Sequence, residues 1–196
     1  PLQLPPGTAR LIRAGTKLRF QMHYTPNGTA VKDKSYVGLK FAKAAPKYRS
    51  LTGRAINVAF KIPPQAEAHE VKASQVLKQD IRMTSLMPHM HVRGKDFEYS
   101  VVYPDGRQEV LLKVPRYDFG WQLSYQFATP LDLPKGTRIE CVAHFDNSAN
   151  NKFNPDPTKE VRWGDQTWEE MMIGWFNYTV DWKAEAPQAT GSAGLE

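Results

Sequence analysis

Phe97-Glu98-Tyr99-Ser100-Val101-Val102-Tyr103-Pro104-Asp105-Gly106-Arg107-Gln108-Glu109-Val110-Leu111-Leu112-Lys113-Val114 is the stretch whose reading decides the fold. Two strand-like runs, Phe97 to Tyr103 and Glu109 to Val114, flank a Pro-Asp-Gly-Arg turn, which predicts an antiparallel hairpin. The same grammar continues outward in both directions. Ala55 to Ile62 alternates up to the stop at Pro63-Pro64, and Glu70 to Leu86 carries one or two strands. After the hairpin come Gln122 to Phe127, the turn Pro134-Lys135-Gly136, a strand from Thr137 to Phe145, an Asn- and Pro-rich loop from Asp146 to Pro157, and a last strand from Met171 to Val180. Near the start, Leu18, Phe20, Met22 and Tyr24 alternate with Lys17, Arg19, Gln21 and His23, as a half-buried strand should, up to the turn Pro26-Asn27-Gly28. Tyr36 to Phe41 reads as a second strand, and Lys43 to Arg49, with Pro46 inside it, as a linker.

Short strands separated by turn signals, with 15 prolines and 13 glycines to make them, predict an all-β fold: an antiparallel β-sandwich or jelly roll. The expected division is residues 1–45 as the end of a first sandwich, 46–183 as the main sandwich domain, and 184–196 as a disordered tail whose Leu195-Glu196 has the look of a cloning scar. At 196 residues the chain can bury a core without crosslinks, and Cys141, the only cysteine, has no partner in the sequence. The net charge of +6 is spread along the chain, with no basic run or basic helix for nucleic acid. No apolar run approaches the length of a membrane span. The chain opens at Pro1 rather than at a methionine, which suggests a segment of a longer polypeptide with more sequence upstream.

The chemistry-bearing motif is His89-Met90-His91. On a strand, residues two apart leave the same face, so both imidazoles can reach one ion. A third ligand is needed, and His144, Met171, Asp96 and Glu98 are candidates. His89, His91 and His144 with Asp96 or Glu98 would make a cupin-like iron or manganese site, whereas two imidazoles with the thioether of Met171 suit copper that cycles through Cu(I). Residue chemistry leaves this choice open.

Two stretches bear on it. Leu86-Met87-Pro88-His89-Met90-His91-Val92-Arg93-Gly94-Lys95 and Trp168-Glu169-Glu170-Met171-Met172-Ile173-Gly174-Trp175-Phe176 resemble, in order and separation, the two signatures of the copper type II, ascorbate-dependent monooxygenases, the family of the peptidylglycine and dopamine hydroxylating enzymes. That family pairs His-x-His, followed three residues on by Gly, with a methionine after two acidic residues. The strand Arg138 to Ala143 between them is also similar. The resemblance implies an oxygen-binding copper at His89, His91 and Met171, dioxygen and a small organic molecule as substrates, ascorbate as reductant, and a periplasmic or secreted setting. Leu18 to Tyr24 resembles a strand whose histidine, here His23, is one ligand of the family's second, electron-transferring copper. That site needs an adjacent histidine pair, and the sequence contains none.

Departures from the family qualify what the resemblance implies. The groups with which peptide-amidating members hold a substrate carboxylate are replaced by Met87, Ile173 and Trp175, so an apolar or aromatic, non-peptide substrate is expected. A disulfide of the family is replaced by Met172 and Arg82. A second reading is a non-catalytic copper-binding sandwich module; the cupin-like dioxygenase is a third, with His144 rather than Met171 at the metal. Glu169 and Glu170 could orient a ligand imidazole, and bland roles stand beside these: Met171 as core, His23 as a solvated histidine, Glu169 and Glu170 as solvent-facing acids, and Trp163, Trp168, Trp175, Phe176 and Tyr178 as sheet packing.

Overall fold

The computed structural model describes residues 4–24 and 27–182. Among these the regular structure is all strand: β1 (Thr8–Ala9), β2 (Tyr48–Asn57), β3 (Lys61–Ile62), β4 (His69–Val76), β5 (Ile81–His89), β6 (Gly94–Val102), β7 (Gln108–Val114), β8 (Tyr125–Leu133), β9 (Arg138–Phe145), β10 (Val161–Arg162) and β11 (Met172–Asp181). The chain divides into two compact units, residues 1–49 with 181–196, and residues 50–180.

In the first unit Thr8 and Ala9 pair in parallel with Tyr48 and Arg49, so strand begins inside the expected linker. The strands expected over Gly15–Tyr24 and Tyr36–Phe41 do not form. Leu18, Phe20, Met22, Tyr24, Tyr36, Val37, Leu39 and Phe41 are exposed. The reason is physical: alternation marks a segment able to bury one face, but ladder hydrogen bonds and burial come from a neighbouring strand, and without one the ordering entropy is not recovered. Thr25 and Pro26, and with them part of the expected turn, lie outside the described residues, as does the tail 184–196.

The second unit is the antiparallel β-sandwich expected from the sequence. One sheet runs β2-β11-β5-β8 and the other β4-β9-β6-β7, with β3 and β10 as a small pair. The quoted hairpin forms as β6 and β7, with Phe97 opposite Val114 and Val102 opposite Gln108. Alternation along β6 and β9 sends Phe97, Tyr99, Val101, Ile139, Cys141, Ala143 and Phe145 inward. The outer face of that sheet is charged, with Lys72–Glu70, Lys113–Glu98 and Arg138–Glu140 ion pairs in solvent.

β5 breaks the alternation. Ile81, Met83 and Ser85 point inward, and so do Leu86, Pro88 and Met90. Pairing slips at this place on both sides of the strand, between Asn177 and Tyr178 of β11 and between Met83 and Ser85. This bulge reverses the facing of everything after it. Met87 and His89 therefore leave the core side, whereas the parity of Ile81 and Met83 would have turned both inward; His91, beyond the end of the strand, is buried.

Where the sheets face each other the approach is close. A Cβ on Gly174 of β11 would lie 2.4 Å from Cys141 Sγ and 3.0 Å from Tyr99 Cε1. The Tyr99 hydroxyl, wholly buried, donates to the Trp175 carbonyl at 3.0 Å, tying one sheet to the backbone of the other. Gly174→Ala is thus expected to cost about 1–3 kcal/mol by overpacking, read as a lower urea midpoint. In the double mutant with Cys141→Ala the loss should be smaller than the sum of the single losses, because removing the sulfur vacates the space the new methyl needs. Additive losses would mean that the two positions do not meet.

Candidate metal centre

His89 is the last residue of β5, and His91 lies two residues beyond it, just before the turn at Val92 and Arg93. Their ring centroids are 5.4 Å apart with the rings edge to face at 83°. His91 Nδ1 lies 3.1 Å from the Glu169 carbonyl. A carbonyl only accepts, so Nδ1 carries the hydrogen and the neutral ring keeps its lone pair on Nε2. Burial lowers the His91 pKa, against the upward pull of the Glu169 and Gln166 carbonyls, which favours the neutral ring a metal requires.

Met171 precedes β11 by one residue. Ile173, two residues on, is the antiparallel partner of His89, the last pair of the β5–β11 ladder. One carboxylate joins Met171 to His91. Glu170 is completely buried. Its Oε2 accepts the amides of His91 at 2.7 Å and Met171 at 3.3 Å, and its Oε1 accepts the amide of Arg93 at 2.7 Å. The buried Arg93 guanidinium, which donates to Asn147 Oδ1 and to the Trp168 carbonyl, adds opposite charge. Burial pushes the Glu170 pKa up to about 7 even though three amides and Arg93 pull it down. The expectation that both acids face solvent is thereby corrected for Glu170. Glu169 accepts the Gln166 amide at 2.9 Å in a place left open by Gly164, where a Cβ would overlap its carboxyl group.

The connection between β7 and β8 covers the same motif residue by residue. Tyr117 Oη accepts the Met90 amide at 3.0 Å and donates to the Met90 carbonyl at 2.7 Å. The Phe119 ring stands edge-on to His91 at 5.8 Å, and Gln122 Oε1 lies 2.6 Å from His89 Nδ1. Gly94 leaves the room: a Cβ there would sit 2.6 Å from Tyr117 Cδ1 and 2.9 Å from Met90 Cβ. No motif marks Tyr117, Phe119 or Gln122 in the sequence, since their roles follow from a connection folding over its neighbour.

Other candidates fall elsewhere. His144 is on the outer face of the opposite sheet, 2.6 Å from Asp96 Oδ1 and 3.9 Å from Glu70 Oε2. Glu98, on that face, pairs with Lys113. The cupin-like set of His89, His91 and His144 with Asp96 or Glu98 is therefore not assembled, and among the described residues no three His, Cys, Asp or Glu side chains converge on a metal position. A set of two histidines and a methionine is outside that description. His23 is exposed in the first unit. Cys141 is free and buried, and burial raises its thiol pKa. Met87 pairs with Trp175 across β5 and β11, next to the His89–Ile173 pair, and Arg54 lies over the Trp175 ring at 5.7 Å.

No family model matches the sequence, and no curated protein matches it. Among solved structures the chain is similar to the VP2 subviral particle of infectious bursal disease virus, at 11% identity and a TM-score of 0.36, over 75% of this chain and 37% of that one. It is similar to the Gt strain of that virus at 12% identity and a TM-score of 0.32, over 74% of this chain and 36% of that one. For the Gx strain the values are 12% and 0.33, over 74% and 37%. The chain thus spans well under half the length of these viral proteins, and likenesses this slight say nothing about the metal centre.

Proposed function

We propose that residues 50–180 are a copper-binding module of the monooxygenase class, with His89, His91 and Met171 as ligands and an apolar, non-peptide molecule as substrate. The observation that carries the reading is the shared Glu170 oxygen: one buried carboxylate holds the backbone amides of His91 and Met171, which come from distant parts of the chain, while His89 and His91 already stand ring to ring. A thioether beside two neutral imidazoles fits an ion that spends part of its cycle as Cu(I), because soft sulfur favours the lower oxidation state. Copper at such a place would supply one-electron chemistry toward dioxygen for hydroxylation of a C–H bond, with ascorbate as reductant on the family pattern.

The chain's own residues supply the rest. Glu170 and Arg93 hold the ligand backbones, and the Glu169 carbonyl orients His91. Ile173, opposite His89, and the Met87–Trp175 pair beyond it give that face apolar side chains that suit a hydrocarbon or aromatic ring. A second copper, with His23 as one ligand, would need a histidine pair that the sequence lacks. The isolated chain is accordingly expected to bind copper and to turn over poorly; the second reading is a module that binds copper without catalysis, and a histidine pair upstream of Pro1 would decide for the enzyme. The proposed setting is periplasmic or secreted.

Two measurements test this. Chelator competition should find that Met171→Ala weakens Cu(I) binding by about tenfold or more, roughly 1.4 kcal/mol, and Cu(II) binding by less, while His89→Ala weakens both. Equal losses for both oxidation states in Met171→Ala, or none, would mean that the thioether is only packing. Independently of metal, Glu170→Ala should lower stability by about 3–5 kcal/mol, because the amides of His91, Arg93 and Met171 are left buried without their acceptor and the buried Arg93 guanidinium loses its nearby opposite charge. An unchanged urea midpoint would show that the carboxylate does not join the two segments.

A further inference from the structure

We infer that Gln122 is a positioning residue for His89, fixing its imidazole as the Nδ1–H tautomer so that the Nε2 lone pair is the one presented to a metal ion. The functional consequence rests on the copper reading, whereas the tautomer is a property of the metal-free chain.

A contact between an amide and an imidazole does not by itself say which group donates, because the amide has both an oxygen and an NH2 and either ring nitrogen can carry the hydrogen. Here the far side of the amide decides. Gln122 Nε2 donates to the Phe119 carbonyl at 3.0 Å, an atom that can only accept. The NH2 is committed there, so the oxygen faces His89, and at 2.6 Å the His89 Nδ1 must be the donor. The neutral ring then has its lone pair on Nε2, the arrangement in which a partner on the outer nitrogen sets both the tautomer and the orientation of a metal-binding histidine.

Gln122 is not a wandering surface side chain. The turn that carries it is closed by Trp121 N donating to the Asp118 carbonyl at 2.9 Å and by Gly120 N donating to Asp118 Oδ1 at 2.7 Å. It is anchored through Tyr117, whose amide donates to the Lys95 carbonyl and whose hydroxyl grips both backbone atoms of Met90. The connection thus holds the residue between the two histidines and places Gln122 on the first of them. Because Gln122 is exposed, replacing it changes the contact without opening the core.

The test uses the full chain, metal-free and labelled with 15N-histidine, in long-range 1H–15N spectra at a pH where both rings are neutral, with His89→Ala to assign the signals. Native His89 should be found as Nδ1–H. In Gln122→Met it should move toward Nε2–H, the form free histidine prefers in water, while His91, held by the Glu169 backbone, keeps its tautomer and reports that the fold is intact. Cu(I) affinity of Gln122→Met should fall by about 10–100-fold. A native His89 in the Nε2–H form, or one that Gln122→Met leaves unmoved, overturns the inference. A tautomer that moves with unchanged Cu(I) affinity overturns the role of Gln122 at a metal. A native chain that holds no Cu(I) sinks the copper reading instead, and the spectra still decide the hydrogen-bond assignment.

Discussion

A single carboxylate, buried among backbone amides, is the interaction on which the arrangement of this sandwich's outer face depends. Glu170 reaches from the start of β11 into the turn after β5 and accepts from His91, Arg93 and Met171. Burying a carboxylate is costly unless its lone pairs are filled. Here three amides and the opposite charge of Arg93 offset part of that cost, but burial outweighs them and the pKa is raised to about 7. What the cell of contacts gains is definition: the ends of two antiparallel strands, where pairing normally frays, are held to each other beyond the last ladder hydrogen bond.

The second constraint is the bulge in β5. A strand that kept its parity would turn Met87 and His89 into the core or expose Leu86 and Pro88, and either outcome conflicts with one-sided burial. One irregularity near Ser85 resolves the conflict by letting the first half of the strand feed the core with odd residues and the second half with even ones. The glycines in the motifs answer to the same crowding. Gly94 admits Tyr117 to the backbone of Met90, and Gly174 admits Cys141 and Tyr99 against β11, so each stands where two layers come within a methyl group of collision.

How much of this was legible follows the range of the forces involved. The hairpin around Asp105-Gly106 and the strand Arg138–Phe145 were readable because turn chemistry and alternation act over a few residues. Leu18 to Tyr24 alternates just as well, yet forms no strand, since alternation records what a segment could bury and not whether a partner exists. The histidine pair and Met171 were readable as candidates by resemblance. The burial of Glu170 was not, because an acid before an apolar strand looks the same whether it faces water or three amides. Gln122 left no trace at all: its position depends on a connection folding back over a strand about thirty residues earlier in the chain, a separation at which local pattern carries no information.

Backbone and side-chain control of this face are divided between two sources. The strand ends and Glu170 govern where the backbones of His91 and Met171 lie, and they belong to the cooperative core of the sandwich. The connection between β7 and β8 governs the imidazole of His89, and it is attached through hydrogen bonds of Tyr117 and Gln122 rather than through a shared ladder. Hydrogen-bonded connections open at lower free energy than packed strands. A local opening of the connection would therefore release the His89 ring and lift Phe119 from His91, while the Glu170 bonds to the amides of His91 and Met171 stay in place. The His91 imidazole is thus held by the Glu169 carbonyl, next to the buried carboxylate, and the His89 imidazole by a side chain of the connection, so the two rings answer to different parts of the chain.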